Sequence, residues 1–220
     1  MIEVQQLTRK FRNGSRSVTA LDKVSLSVIE GSFTLIKGPS GSGKTSLLFS
    51  IGGMLRPTSG TVRAFGKDLY ALPASSRRKL IATRIAFVFQ SYYLLPYLTV
   101  KENIFVQNRL GFISIDKDYV YKIIDLLGLT DRLRHKPAEL SVGEKQRVVL
   151  ARTLAVQPRL ILADEPTGNL DTENSGIVLD IFKIFQKEGG TLLMVTHDHQ
   201  ADSHASRIFH LNHGRLNSSL

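Results

Sequence analysis

The 220 residues contain no cysteine, and that one absence removes disulfide frameworks, thiolate-held metals and CxxC redox motifs together. A reducing compartment fits such a chain. No stretch reaches the roughly 18 consecutive apolar residues that a membrane-spanning helix needs, so the chain is not expected to cross a bilayer by itself. The opening Met1-Ile2-Glu3-Val4 lacks a basic stretch followed by an apolar run, so no secretory signal is read there. Repeats, low-complexity tracts and Pro/Ser-rich linkers are also missing, which leaves nothing to divide the chain into independent domains. Acidic charge is in deficit, with 29 Lys+Arg against 19 Asp+Glu and a net +10. Such a surplus favours nucleic acid or an anionic membrane surface as neighbour. The basic residues are scattered, however, at Arg9-Lys10-Phe11-Arg12, Arg77-Arg78-Lys79 and from Arg132 to Lys136. They are not gathered on one helix with interleaved aromatics, and a solvated basic face is the simpler reading.

What is present is enough apolar material, 42% of residues, to bury one sizeable core. Residues 1–36 alternate polar and apolar positions in short runs broken at Asn13-Gly14 and Glu30-Gly31, which predicts an antiparallel β portion. A helix is expected to begin near Gly43. The runs Ile85–Phe89, Leu160–Ala163 and Thr191–Val195 are short and uncharged, the pattern of strands buried on both faces of a parallel sheet. Tyr119–Leu127 and Ile177–Phe185 place apolar residues three and four apart, as helices do. Between Gln90 and Leu154 there is no strand pattern, only helix-like text, and that stretch reads as a mostly helical lobe set into an α/β core.

The strongest local signal is Gly38-Pro39-Ser40-Gly41-Ser42-Gly43-Lys44-Thr45, which follows the apolar Phe33–Ile36 and leads into Ser46-Leu47-Leu48-Phe49. That is strand, glycine-rich loop, helix. Glycines let the backbone approach phosphates closely, the helix start adds positive potential, Lys44 reaches the outer phosphates and the Thr45 hydroxyl can ligate Mg²⁺. A glycine-rich turn that binds nothing would not need the full GxxxxGK[ST] pattern in that setting. The expected phosphate site runs from Gly38 to Ser46. Leu160-Ile161-Leu162-Ala163-Asp164-Glu165-Pro166 then supplies two adjacent carboxylates at a strand end. Neighbours on a strand point differently, so Asp164 can face the metal while Glu165 faces the γ-phosphate and polarises the attacking water. Two acids that merely close a strand for solubility are the plain alternative.

Ahead of that acid pair lies Leu140-Ser141-Val142-Gly143-Glu144-Lys145-Gln146-Arg147. Ser141 with Glu144 is also a capping box, an ordinary helix start when read alone. In this position the segment resembles the signature of ABC ATPases. The resemblance extends over essentially the whole chain, from Phe11 to His197 and beyond. It implies that Ser141, Gly143 and Glu144 grip the γ-phosphate of ATP held by a second copy, so that ATP is sandwiched in a head-to-tail homodimer. It implies further that Gln90 touches the metal and attacking water, that Gly168-Asn169-Leu170-Asp171 links the two sites, that His197 holds the γ-phosphate beside catalytic Glu165, and that Phe11 stacks on adenine. Mg²⁺ would be met by Thr45, Gln90 and Asp164. Two positions depart from the pattern: Val142 stands where the family usually has glycine, and Glu144 where it usually has glutamine.

The fold so implied is α/β: a P-loop NTPase core with a parallel sheet, an N-terminal antiparallel β subdomain and an inserted helical subdomain at about residues 91–153, within a single nucleotide-binding domain spanning 1–220. Phe89–Pro96, Leu98–Asn103 and Asp164–Asp171 are similar to the lipoprotein-release, macrolide-export and cell-division group. Membership implies an ATP- and Mg²⁺-dependent ATPase, peripheral on the cytoplasmic side of the cell membrane, that drives a separate transmembrane permease. The stretch from Gln90 to Asn103, with Tyr92, Tyr93 and Tyr97, suits a docking face, though those tyrosines equally suit a packed lobe. A DNA-repair or translation ATPase would carry coiled-coil insertions, zinc modules or a second cassette. A non-hydrolysing regulator would not keep Glu165 and His197, and a P-loop kinase or GTPase would lack the signature. Five of six histidines (197, 199, 204, 210, 213) fall in the last 24 residues, but their spacing crosses several elements and does not make a metal site.

Overall fold

The two kinds of β text sort into two sheets. In the computed structural model, which describes residues 1–14, 16–110 and 113–218, the strands and helices run in this order: β1 (Ile2–Asn13), β2 (Arg16–Val28), β3 (Phe33–Lys37), α1 (Lys44–Ile51), β4 (Ser59–Ala64), β5 (Lys67–Asp68), α2 (Ala74–Arg84), β6 (Ile85–Val88), α3 (Val100–Phe105), α4 (Lys117–Leu126), α5 (Val142–Leu154), β7 (Leu160–Asp164), α6 (Thr172–Lys187), β8 (Thr191–Val195), β9 (Arg207–Asn212) and β10 (Arg215–Ser218). One sheet is antiparallel with order β2-β1-β4-β5, and the other has six strands in the order β10-β9-β3-β8-β7-β6. All pairings in the second are parallel except the β9–β10 hairpin.

The expectation of an antiparallel portion over residues 1–36 holds for β1 and β2 but not for β3. All five residues of β3 are buried, and a strand covered on both faces belongs inside a parallel sheet. It pairs with β8 on one side and β9 on the other. The antiparallel sheet instead draws β4 and β5 from beyond α1, with Ile2 opposite Ala64.

The period of two in the buried strands divides the core into two layers. Ile161 and Ala163 of β7, Leu192 and Met194 of β8, and Phe33 and Leu35 of β3 pack with α5 and α6 through Val148, Leu150, Phe182 and their neighbours. The alternate residues Leu160, Leu162, Leu193, Val195 and Ile36 pack with Leu47, Leu48 and Ile51 of α1 and with the antiparallel sheet. Fully burying each Val, Leu, Ile, Phe or Met side chain among them contributes about 1.5–3 kcal/mol. Because β3, β7 and β8 are parallel and in register at Ile36, Val195 and Asp164, their carboxyl ends share one edge. Crevices outside that edge are where α/β sheets bind ligands.

Between β6 and β7 every regular element among the described residues is helical: α3, α4, α5 and three 3-10 turns. Buried Asn103 of α3 organises the approach to this region. Its side-chain oxygen accepts from Leu95 N–H, and its amide group donates to the carbonyls of Leu95, Leu98 and Thr99. Thr99 and Glu102 close a capping box at the start of α3. No helix among the described residues is long and apolar enough to cross a membrane.

Candidate functional site

The loop from Gly38 to Gly43 leaves β3 and turns directly into α1. Pro39, Ser40 and Gly41 are exposed while Ser42 and Lys44 are buried. Gly43, the residue before the helix, has φ 104° and offers no side-chain cap, so the first N–H groups of α1 are left for a ligand. The loop is braced from outside, since Gly214 N–H donates to Ser42 O at 3.0 Å. Lys44 folds back, its Nζ donating to the carbonyls of Gly38 (2.7 Å) and Pro39 (3.1 Å). The buried Ser42 hydroxyl has no partner among the described residues. An uncapped helix start, an orphan hydroxyl and an ammonium hydrogen-bonded to loop carbonyls together fit a bound phosphate group.

Thr45 faces Asp164, its hydroxyl donating to Oδ1 at 3.2 Å. A divalent cation between a threonine hydroxyl and a strand-end carboxylate suits the oxygen chemistry of Mg²⁺. Burial pushes the Asp164 pKa above its usual value and the Glu165 charge adds to this, while the Thr45 hydrogen bond and Lys44 oppose it. Glu165 sits at φ 47°, a left-handed conformation uncommon for a non-glycine residue. Its backbone N–H is tied to Val195 O at 2.9 Å. Its Oε2 accepts from His197 N–H at 3.2 Å and lies 3.0 Å from His197 Nδ1, while Oε1 lies 3.8 Å from Lys44 Nζ. Lys44, Thr45, Asp164, Glu165 and His197 thus meet at one edge of the sheet.

The raised Asp164 pKa has a stability consequence. A folded-state pKa above the unfolded one means that folding disfavours the ionised form, so the penalty is present at neutral pH and vanishes once the pH falls below both values. Asp164→Asn is therefore expected to raise the melting temperature of the ligand-free protein at pH 7 by about 2–4 °C. Calorimetry at pH 7 and at acid pH checks this, and a lower melting temperature at pH 7 would contradict the burial account.

Gln90 is exposed and lies beside the Gly168 turn, where its carbonyl accepts from Asn169 Nδ2 at 3.3 Å. Asp171 caps α6 by accepting from Asn174 N–H, and the Asn174 side chain in turn accepts from Arg147 Nη1 at 3.2 Å. A side chain at Gly143 would collide with Asn174. The Gly168–Asp171 loop is therefore joined to α5 inside one protomer. Ser141 is exposed at the tip of α5, where its Oγ accepts from Glu144 N–H and Glu144 Oε2 accepts from Ser141 N–H. Glu144 Oε1 accepts from Arg132 Nε at 2.6 Å. Among the described residues these hydrogen bonds run within the signature and to Arg132, not to the phosphate loop. Val142 is 46% exposed, so its branched side chain points away from the core.

Phe11 is 41% exposed, not a core residue, and the Arg9 guanidinium lies 4.5 Å above its ring. The three tyrosines divide: Tyr92 packs against the core, while Tyr93 and Tyr97 are 67% and 88% exposed. The last five histidines spread over the loop after β8, the 3-10 turn Gln200–His204, β9 and the β9–β10 turn. Three partnerships carried no sequence signal: Arg132 with Glu144, Thr167 with Asp198 (2.9 Å), and buried Lys37 with Asp202 (2.7 Å). The last two hold the His197 loop from either side.

The family described as ABC transporter matches residues 21–168. A lipoprotein-releasing system ATP-binding protein, LolD, of Geobacter metallireducens is 39% identical over 219 residues, covering 98% of this chain and 97% of its own length. An uncharacterized ABC transporter ATP-binding protein of Bacillus subtilis, YvrO, is 38% identical over 219 residues, 98% of this chain and 95% of its own. Among solved structures, the dimeric bacterial ABC transporter cassette MJ0796 superposes with a TM-score of 0.90 at 33% identity, covering 99% of this chain and 98% of its own. The same cassette in a post-hydrolysis dimer bound to ADP and Pi gives 0.89 at 32% identity over the same shares. With the phosphate loop, the acid pair and the signature all in the geometry described, the chain belongs to the ABC transporter family, as one of its ATP-binding subunits.

Proposed function

We propose that the chain works at the cytoplasmic face of a membrane as the ATPase of a transporter of the lipoprotein-release group, as a homodimer that clamps two ATP molecules and drives a separate permease. The domain is read as one cassette, 1–220, with the helical lobe at about 91–153; residues 15, 111–112 and 219–220 of those spans lie outside the described residues. The observation that carries this reading is the convergence of Lys44, Thr45, Asp164, Glu165 and His197 at one strand edge, while the signature serine faces outward on α5. Such a half-site needs a second copy to complete it.

In this reading Gly38 to Ser46 wrap the phosphates, and Lys44 exchanges its loop carbonyls for phosphate oxygens. Thr45, Asp164 and Gln90 would hold Mg²⁺, which supplies charge compensation to the transferring phosphoryl group. Glu165 orients the attacking water and accepts its proton. His197, on the same carboxylate, fixes that geometry and meets the γ-phosphate. Phe11 offers its π face to adenine once Arg9 moves aside. Ser141, Gly143 and the start of α5 close over the γ-phosphate of the other copy. A groove of about 390 Å³ beside the edge strand β6, lined by Phe87, Phe89, Val106, Ile113 and Arg152, receives the permease. Tyr93, which stacks edge-on to Phe89 at 5.2 Å, extends that apolar surface.

A complementation experiment tests the head-to-tail arrangement. Lys44→Ala and Ser141→Arg are each expected to be inactive alone, because every site needs one residue from each copy. Mixed in equal amounts, half of the dimers carry one intact site, so the mixture recovers about a quarter of the wild-type phosphate-release rate if the sites act independently. A mixture as inactive as its parts would refute the arrangement.

A further inference from the structure

We propose that Arg132 is a positioning residue for the dimer site: it holds Glu144 against Ser141 and cancels its charge, so that the tip of α5 stays attractive to the phosphate of the opposite copy. The inference rests on the sandwich reading given above and deepens it.

The free N–H groups and dipole of a helix start attract an anion. A carboxylate in the first turn works against that attraction, because like charges repel across a few ångströms of poorly solvated space. Glu144 occupies this position. It cannot escape the conflict by taking up a proton, since the Ser141 backbone N–H and then Arg132 hold its pKa down at about 2. Neutralisation has to come from a cation, and the structure provides one in Arg132 at 2.6 Å. Both carboxylate oxygens are then engaged, Oε2 by Ser141 N–H at 2.8 Å and Oε1 by Arg132. The carboxylate is thereby turned back along α5 toward its own cap.

Arg132 is held to this task by its backbone. It ends the 3-10 turn Thr130–Arg132, between fully buried Leu129 and Leu133, which packs against the core. Its N–H donates to Leu129 O, and its carbonyl accepts from His135 N–H, both at 2.9 Å. The next residues are tied to the start of α3, with Val100 N–H on His135 O at 2.8 Å and Lys101 N–H on Leu133 O at 3.1 Å. The backbone that carries the guanidinium is thus fixed relative to the start of α3. Its side chain is 43% exposed, against 16% for Glu144, and an ion pair with its cation half in water contributes little to stability. A merely structural surface pair and a charge-cancelling one therefore predict different results.

The test uses the full chain in the Glu165→Gln background, where hydrolysis does not consume the ligand. Sedimentation velocity gives the Mg-ATP concentration for half-maximal dimerisation, and a fluorescent ATP analogue gives the affinity of the monomer. The parent is measured first; if it does not dimerise with Mg-ATP, the sandwich reading falls and this inference falls with it. Given a parent that dimerises, Arg132→Ala is expected to raise the dimerisation midpoint about tenfold. Monomer affinity is unchanged and the melting temperature shifts by less than about 4 °C. Arg132→Lys keeps the charge and recovers part of the loss. The decisive variant is Arg132→Ala with Glu144→Gln, which is expected to match Glu144→Gln alone, because there is no longer a charge to cancel. A midpoint unmoved by Arg132→Ala, or a double variant as impaired as Arg132→Ala, would overturn the assignment.

Discussion

Replacing Glu165 with glutamine slows ATP hydrolysis by about three orders of magnitude and leaves the protein as an ATP-bound dimer. Glutamine keeps the length and one acceptor oxygen, so the bond from His197 N–H at 3.2 Å survives, and the left-handed backbone at φ 47° is held as before by Val195 O. What is lost is the ability to accept a proton from water, and with it the negative charge 3.8 Å from Lys44. Removing that charge helps ATP: Lys44 gains freedom to turn from the carboxylate to phosphate oxygens, and the γ-phosphate no longer faces an anion. Binding therefore persists or tightens while turnover stops. Size-exclusion mass with and without Mg-ATP, alongside phosphate release, reads both effects. Native-rate hydrolysis by this variant would remove Glu165 from the catalytic role and pass it to another group.

Much of this site could be read in the chain because its chemistry is carried by contiguous text. The strand before the phosphate loop, the helix that begins at Lys44, and the buried run ending in Asp164 are local features, and β8 spans the expected Thr191–Val195. Partner choice was not legible. Phe33–Lys37 lies in the parallel sheet although it follows an antiparallel hairpin, because burial on both faces is decided by α1, α5 and α6 far along the chain. Strands β4 and β5 are short and mostly exposed, and α2 buries none of its residues, so neither carries the apolar period that reading depends on. Backbone strain at Glu165 and the pairing of Arg132 with Glu144 are products of the fold. A lone arginine twelve residues before a glutamate has no pattern of its own. Glu144 itself read as a departure from the usual glutamine, and only the structure supplied its compensating cation. The tyrosines show the limit from the other side, since one apolar stretch contains both a core residue, Tyr92, and the exposed Tyr93 and Tyr97.

Gly43→Ala is expected to lower ATP affinity more than about a hundredfold and to cost about 2–4 kcal/mol of stability, whereas Gly41→Ala costs about 1 kcal/mol. Both glycines belong to the same motif and both have positive φ, 104° at Gly43 and 76° at Gly41, so backbone strain alone would treat them alike. Their surroundings differ. A Cβ at Gly41 meets nothing within 4 Å, while one at Gly43 runs into the backbone carbonyl of Ala20 and lies 3.2 Å from Leu21. Leu21 is fully buried in the layer beneath α1, and the Ala20 peptide belongs to the hairpin strand β2, so neither yields cheaply. Relief must come from the loop, and Gly43 is followed at once by Lys44 and Thr45. Shifting it carries the ammonium off its loop carbonyls and the hydroxyl away from Asp164, which displaces the two groups that the proposed function assigns to phosphate and metal. Thermal melts and nucleotide titrations of the two variants decide the matter. Equal losses at both positions would mean that strain, not the close approach of β2, is why the motif places glycine there; a large loss confined to Gly43 would show that the antiparallel sheet props the phosphate loop from behind.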